Sequence, residues 1–247
     1  MRKLNALIFA SIFSLASCMT VKEVPSDMKG AAYGVPDDGI TQSLFDDKNA
    51  TISEENLQTI LEGYAFLPEK LRVAVVNIEN VRNVQPANRY YNHMWNDEDY
   101  ISSRQKYLSV MTDNLQQQDR VKKVALIPDM MIPPSPSFTS IREAAVRMQA
   151  DVVVVYSIRG GLYSKYKLFS SDEYKAFATT QVMIMDVRTG LVPFTTVVTE
   201  EYNSKKQKSD FNDTEAIKRV REEAVSLTLK KVCEDMNVFL SKEEGEE

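Results

Sequence analysis

Four consecutive valines, Val152 to Val155, constrain this chain more than any other feature. They stand in the run Gln149-Ala150-Asp151-Val152-Val153-Val154-Val155-Tyr156-Ser157-Ile158-Arg159-Gly160, with no polar residue at alternate positions among them. A strand of that kind turns neither face to water. It belongs in the interior of a sheet covered on both sides.

The flanking segments supply the rest of such a sheet. Leu71 to Ile78 reads as a first buried strand, and Asp97 to Gln118 as a helix with Ile101, Leu108, Met111 and Leu115 at helical spacing. Val121 to Pro128 reads as a second strand. Pro128 and then Pro133-Pro134-Ser135-Pro136 stop any helix and hold the next loop extended. Ser140-Ile141-Arg142-Glu143 has the pattern of a capping box, opening a helix whose apolar side carries Ile141, Ala144, Ala145 and Met148. The alternation of strand and helix calls for parallel pairing with right-handed crossovers. After a connection over 161–175, two arms rich in Val, Ile, Thr and Phe, 177–187 and 191–200, flank the turn Arg188-Thr189-Gly190. The stretch 203–210, with Lys205, Lys206 and Lys208, reads as a solvated basic loop. Asn212 is placed to cap a long last helix ending near Leu240, with Ile217, Val220, Ala224, Leu227, Val232, Met236 and Phe239 inward and Cys233 among them. The fold class is therefore α/β: a three-layer-like mixed sheet of about five strands, in the order β-α-β-α-β-β-β-α, ending in an antiparallel hairpin and a long C-terminal helix.

The N-terminus is of another kind. Arg2 and Lys3 precede an apolar run from Ala6 to Ala16, too short for a permanent membrane helix of about 20 residues. It matches a secretory signal. The run ends in Leu15-Ala16-Ser17-Cys18, which resembles the bacterial lipobox. That resemblance implies cleavage before Cys18 and acylation of its thiol and new amine, with palmitate-type chains holding the protein at a membrane. More than one chain gives stable attachment, at about 0.8 kcal/mol per buried methylene. Met19 in place of an aspartate implies the outer membrane, with the domain facing the periplasm. The division is then a signal peptide over 1–17, an acylated N-terminus and flexible tether over 18–50, a single domain over 51–241 and a charged tail over 242–247. Within the domain, Thr51-Ile52-Ser53-Glu54 predicts a short first helix over about 53–62. The tether spans roughly 30 Å as a coil and about 110 Å drawn out.

The formal net charge of −5 becomes −7 once Arg2 and Lys3 are removed. A chain so charged gains little from phosphate attraction, which disfavours nucleic acid as a partner. With Cys18 acylated, Cys233 has no intrachain partner, and His93 is the only histidine.

The phrases Ala150 to Tyr156 and Asp186 to Leu191, in this order of elements, resemble one family of α/β domains. It is shared by penicillin-binding-protein activator lipoproteins, curli secretion lipoproteins and the N-terminal domain of the Tol-system propeller protein. The resemblance covers roughly 71–240 and implies a core strand entered from a helix, then a tight hairpin. It also implies work in wall-synthesis regulation or in secretion and assembly. The glycine expected soon after the valine strand is displaced to Gly160-Gly161, and 161–169 supplies at most one poor membrane strand, so a pore is not expected.

Reaction chemistry is sparse. Gly160-Gly161 lacks the spaced glycines and lysine of a phosphate cradle. Asp97-Glu98-Asp99 suits the positive end of a helix dipole better than a metal. Asp129, Asp151 and Asp186 fall at strand ends, where capping and turn roles compete with a glycosidase-like carboxylate pair. No catalytic, cofactor-binding or metal-binding residue is assigned. The aromatics are more suggestive: Tyr90, Tyr91 and Trp95 in one connection, and Tyr163, Tyr166 and Phe169 in the other. Such residues anchor interfaces. If both connections lie at one end of the sheet they form one partner surface. The expected function is a non-enzymatic, lipid-anchored envelope protein that binds and positions a protein partner. The alternative is a carbohydrate-binding or carbohydrate-cleaving lipoprotein using the same aromatics.

Overall fold

The computed structural model describes residues 54–65, 67–78, 98–165 and 173–241. Expectations about the signal peptide, Cys18, the tether, the 51–53 cap, Tyr90, Tyr91, His93, Trp95, Tyr166, Phe169 and the tail lie outside the described residues.

Five strands form one sheet: β1 (Leu71–Asn77), β2 (Val121–Leu126), β3 (Val152–Lys165), β4 (Glu173–Asp186) and β5 (Phe194–Lys205). Their spatial order is β2-β1-β3-β4-β5. β1 pairs in parallel with β2 and β3, and β4 runs antiparallel to both β3 and β5. The helices are α1 (Glu54–Leu61), α2 (Glu98–Gln116), α3 (Phe138–Arg147) and α4 (Asp213–Ser241). The mixed α/β architecture and its order of elements agree with the sequence.

The valine strand is where two hydrophobic clusters meet. Val152 and Val154 face one, with Met111 and Leu115 of α2 and the apolar stripe of α4. Val153 and Val155 face the other, with Ile141, Ala144 and Ala145 of α3. All four valines are buried, as their sequence requires. The layering is uneven, however. Along β4 burial alternates strictly: Tyr174, Ala176, Ala178, Thr180, Val182 and Ile184 are buried toward α4, and the residues between them are half-buried until Met185. The sheet is thus sandwiched around β1 and the first half of β3 and, among the described residues, covered on one side only farther out.

Several boundaries move, each for a stated reason. β3 continues through Gly160-Gly161 to Lys165, because β4 offers a ladder partner to every residue from Val152 to Lys165. The weak strand preference of the glycines is overridden by that pairing. Phe177 fills the space over Gly161, where an added Cβ would lie 2.3 Å from the ring. The connection expected over 161–175 therefore shrinks to 166–172. β5 runs past the expected arm to Lys205, so Asn203, Ser204 and Lys205 are strand rather than loop, paired with Lys175, Tyr174 and Glu173. α3 is capped by Ser137, whose hydroxyl accepts from Ser140 N while the Ser140 hydroxyl accepts from Ser137 N. The box lies one turn ahead of the one read in the sequence. On α4 the buried stripe passes through Ala224, Val225, Thr228 and Leu229. Leu227 sits about 100° to its side and is 37% exposed; Ile101 on α2 is likewise exposed. Asn212 does cap α4, accepting from Glu215 N at 2.9 Å. Cys233 is a free, buried thiol in the larger cluster, its pKa pushed by burial up to about 11.

Candidate interaction surface

The two ends of the sheet differ in chemistry. At the end where β1 begins, Asp151 is buried and accepts from Arg72 N, Arg72 Nε, Arg72 Nη2 and Arg188 Nη2 at 2.8–3.0 Å. Hydrogen bonding from Arg72 is the largest cause holding its carboxyl down at about 2, against the opposing effect of burial. Asp186, also buried, accepts from Arg188 N and from the Thr189 hydroxyl, and its backbone oxygen accepts from Gly190 N. Gly190 has φ +78, the left-handed region that favours glycine. Arg142 of α3 closes this end by donating to the carbonyls of Val187 and Arg188. Both carboxylates therefore act in turn and strand-start locks. Asp129, the third strand-end acid, is exposed and bonded to Arg104. No group of three His, Cys, Asp or Glu able to hold a metal occurs among the described residues.

The opposite end carries the connections. Asn77 at the end of β1 is in register with Tyr156, and β3 runs on from there to Lys165. At about 3.3 Å per residue this arm projects roughly 30 Å past β1. β1 and β3 are parallel, so the 79–97 connection departs in the direction in which β3 runs, but β3 continues to Lys165 before the 166–172 connection departs. The two departure points are therefore set roughly 30 Å apart along the sheet, and a single partner surface stays an expectation. Of the aromatic candidates only Tyr163 falls in a described element, in β3 opposite Lys175.

The projecting part of the sheet has one face without a helix among the described residues. It presents Lys175, Phe177, Thr179 and Gln181 on β4 beside Val197, Thr199 and Glu201 on β5. The side chains pair across the strands: Lys175 with Glu201 at 2.6 Å, and the Thr179 and Thr199 hydroxyls at 2.8 Å. Val197 is 65% exposed. Such a face offers hydrogen bonds, a charged pair and modest apolar area. The sequence conceals this face, because 203–205 reads as loop and the valine strand reads as ending at Gly160; the period-2 pattern from Glu173 to Ile184 is the signal for it.

No helix of the described residues is long and apolar enough to cross a membrane. No protein-family description matches the chain, and no curated protein is similar to it. Among solved structures it is similar to a hypothetical protein of Chlamydia trachomatis, at 10% identity and TM-score 0.39, covering 70% of this chain and 98% of that one. It is similar to a minor lipoprotein of Acinetobacter baumannii at 10% identity and TM-score 0.35, over 70% and 94% of the two chains. For lipoprotein GNA1162 of Neisseria meningitidis the identity is 9% and the TM-score 0.32, over 66% and 99%. Likeness at this level assigns neither family nor function.

Proposed function

We propose that this chain is a lipid-anchored envelope protein, acylated at Cys18, that binds and positions a protein partner and catalyses no reaction itself. The observation that supports the reading is the extension of β3, β4 and β5 beyond β1, which carries an open face without a helix among the described residues. An open sheet face of this kind is suited to docking a protein partner. Two of the three strand-end carboxylates are consumed in structural bonds, which supports a binding role over hydrolysis. Outer-membrane attachment facing the periplasm, and a role in wall-synthesis regulation or in secretion and assembly, are the finer parts of the proposal.

Two measurements test it. Replacing Cys18 by Ala should release the protein from the membrane fraction, and unchanged retention would overturn the anchor. Photo-crosslinking in living cells from Thr199 on the open face should capture a discrete envelope protein that also copurifies with the intact chain. Substrate turnover by the purified protein would overturn the non-enzymatic reading.

A further inference from the structure

β5 forms an outer edge of the sheet, and among the described residues no strand lies beyond it. Its pairing with β4 runs from Phe194 to Lys205 without a bulge, so its outer row of backbone N–H and C=O groups is unbroken. Such a row recognises another extended strand, and chains ordinarily block it with lysine, proline or a bulge. β2, at the opposite edge, follows that rule with exposed Lys122 and Lys123. β5 does not. From Phe194 to Ser204 it holds no lysine or proline, and its two glutamates are already tied, Glu200 to Lys231 of α4 and Glu201 to Lys175 of β4.

The helix above this edge decides what fits it. Thr228 of α4 bonds Thr180 of β4, while Lys231, Asp235 and Phe239 meet Glu200, Thr196 and Phe194 of β5. The helix axis therefore runs over the seam between β4 and β5, about 2.4 Å inside the line of β5, half the usual strand spacing. A second β5 laid antiparallel along the edge puts a two-fold axis about 2.4 Å outside that line. The two copies of α4 then stand about 10 Å apart, a distance at which helices pack.

Charge sets the register. The contacts of Lys231 with Glu200 and of Asp235 with Thr196 are centred on Val198 of the strand and Cys233 of the helix. A two-fold at Val198 brings Lys231 of each copy level with Asp235 of the other. It sets Val198 against Val198, Phe194 against Tyr202 and, on the open face, Val197 against Thr199, and no glutamate faces a glutamate. Centred on Glu200 or Glu201, the same pairing would oppose like charges. Leu227 and Val238, both exposed, stand four residues before and seven after Lys231, on the same shoulder of α4. A contact about 40 Å long and about 20 Å deep, strand and helix together, gives on the order of 800 Å² per copy, the size of a standard stable interface.

We propose that β5 is a dimerisation edge: two copies of this chain pair their β5 strands antiparallel about a two-fold axis at Val198, joining their sheets into one and packing their α4 helices side by side. A second copy fits this edge better than an unrelated strand. The occupant must also bring a helix about 10 Å away, with an acid level with Lys231 and a base level with Asp235, and the chain itself supplies all three. The face of β4 and β5 that carries Val197 stays uncovered in this dimer, so the inference goes beyond the partner-binding reading and does not depend on it.

The test uses the full chain in its own cells, made as two differently tagged copies. With V197C in one copy and T199C in the other, mild oxidation should join the tags by a disulfide, since opposed residues lie about 4.5–5.5 Å apart. V197C in both copies should give at least about tenfold less. K123C in both, at the lysine-blocked edge, should give no more than the parent chain, whose Cys233 is buried. V197K with T199K should lower copurification of the two tags about tenfold or more and leave the far-UV circular dichroism unchanged. D235K in both copies, or K231E in both, should lower it likewise, whereas a D235K copy with a K231E copy should restore it. Disulfides indifferent to the residue pair, tags that never copurify, copurification indifferent to the edge lysines, or a mixed charge pair that fails to restore it would each overturn the inference. So would capture of a different protein alone. Loss of the dimer with partner capture from Thr199 intact would end this inference and leave the partner-binding reading standing.

Discussion

The inner and outer parts of this sheet are made of the same strands but obey different rules. Around β1 and the start of β3, helices lie on both faces and each valine is buried. Farther along β3, β4 and β5, α4 covers one face and the other alternates threonine, lysine, glutamate and isolated apolar groups. The inner part gains its stability from burial on two sides, so its sequence has little freedom. The outer part needs only every second residue for folding, which leaves the remainder available for recognition.

That contrast predicts a graded set of responses. Val154→Asp would place a carboxylate in the doubly covered region and should cost more than about 4 kcal/mol, whereas Val197→Lys on the open face should stay within about 0.5 kcal/mol. Urea unfolding of both variants compares the regions directly, and similar costs would erase the distinction. Next in size is Asp151→Asn, expected to cost about 2 kcal/mol through lost charge-assisted hydrogen bonds. Its pH signature is more specific. The folded pKa of Asp151 lies below its ordinary value, at about 2, so its contribution is present above about pH 4 and lost as pH falls toward 2. Unfolding curves across that window should converge for the variant and the parent; parallel curves would remove Asp151 as the cause. The smallest effect belongs to Gln149, which ends α3 at φ 58 without being glycine. Gln149→Gly should raise stability by up to about 1 kcal/mol, read as a rise in thermal midpoint, and a loss would mean the side chain contributes more than its backbone costs.

What the sequence revealed follows the same division. The valine run, the 3.6-residue spacing in α2 and α3 and the Asn212 cap are local patterns, and each led to the right element. The outer part was misread because its structure depends on partners distant in sequence. Gly160 and Gly161 look like an ending until β4 pairs with them, and Asn203 to Lys205 look like a loop until Glu173 to Lys175 lie alongside. The reach of β3 beyond β1 could not be read from either strand alone, since register is a property of the assembled sheet.

The last helix carries a consequence for how the molecule comes into being. Ten of the 23 buried residues in the larger cluster lie between Ala216 and Leu240. A chain emerging from the ribosome has made every strand before it has made the surface those strands must close upon. Until that final segment arrives, the sheet exposes the apolar face that α4 later covers, so the last stretch to be made is the one that closes the larger cluster.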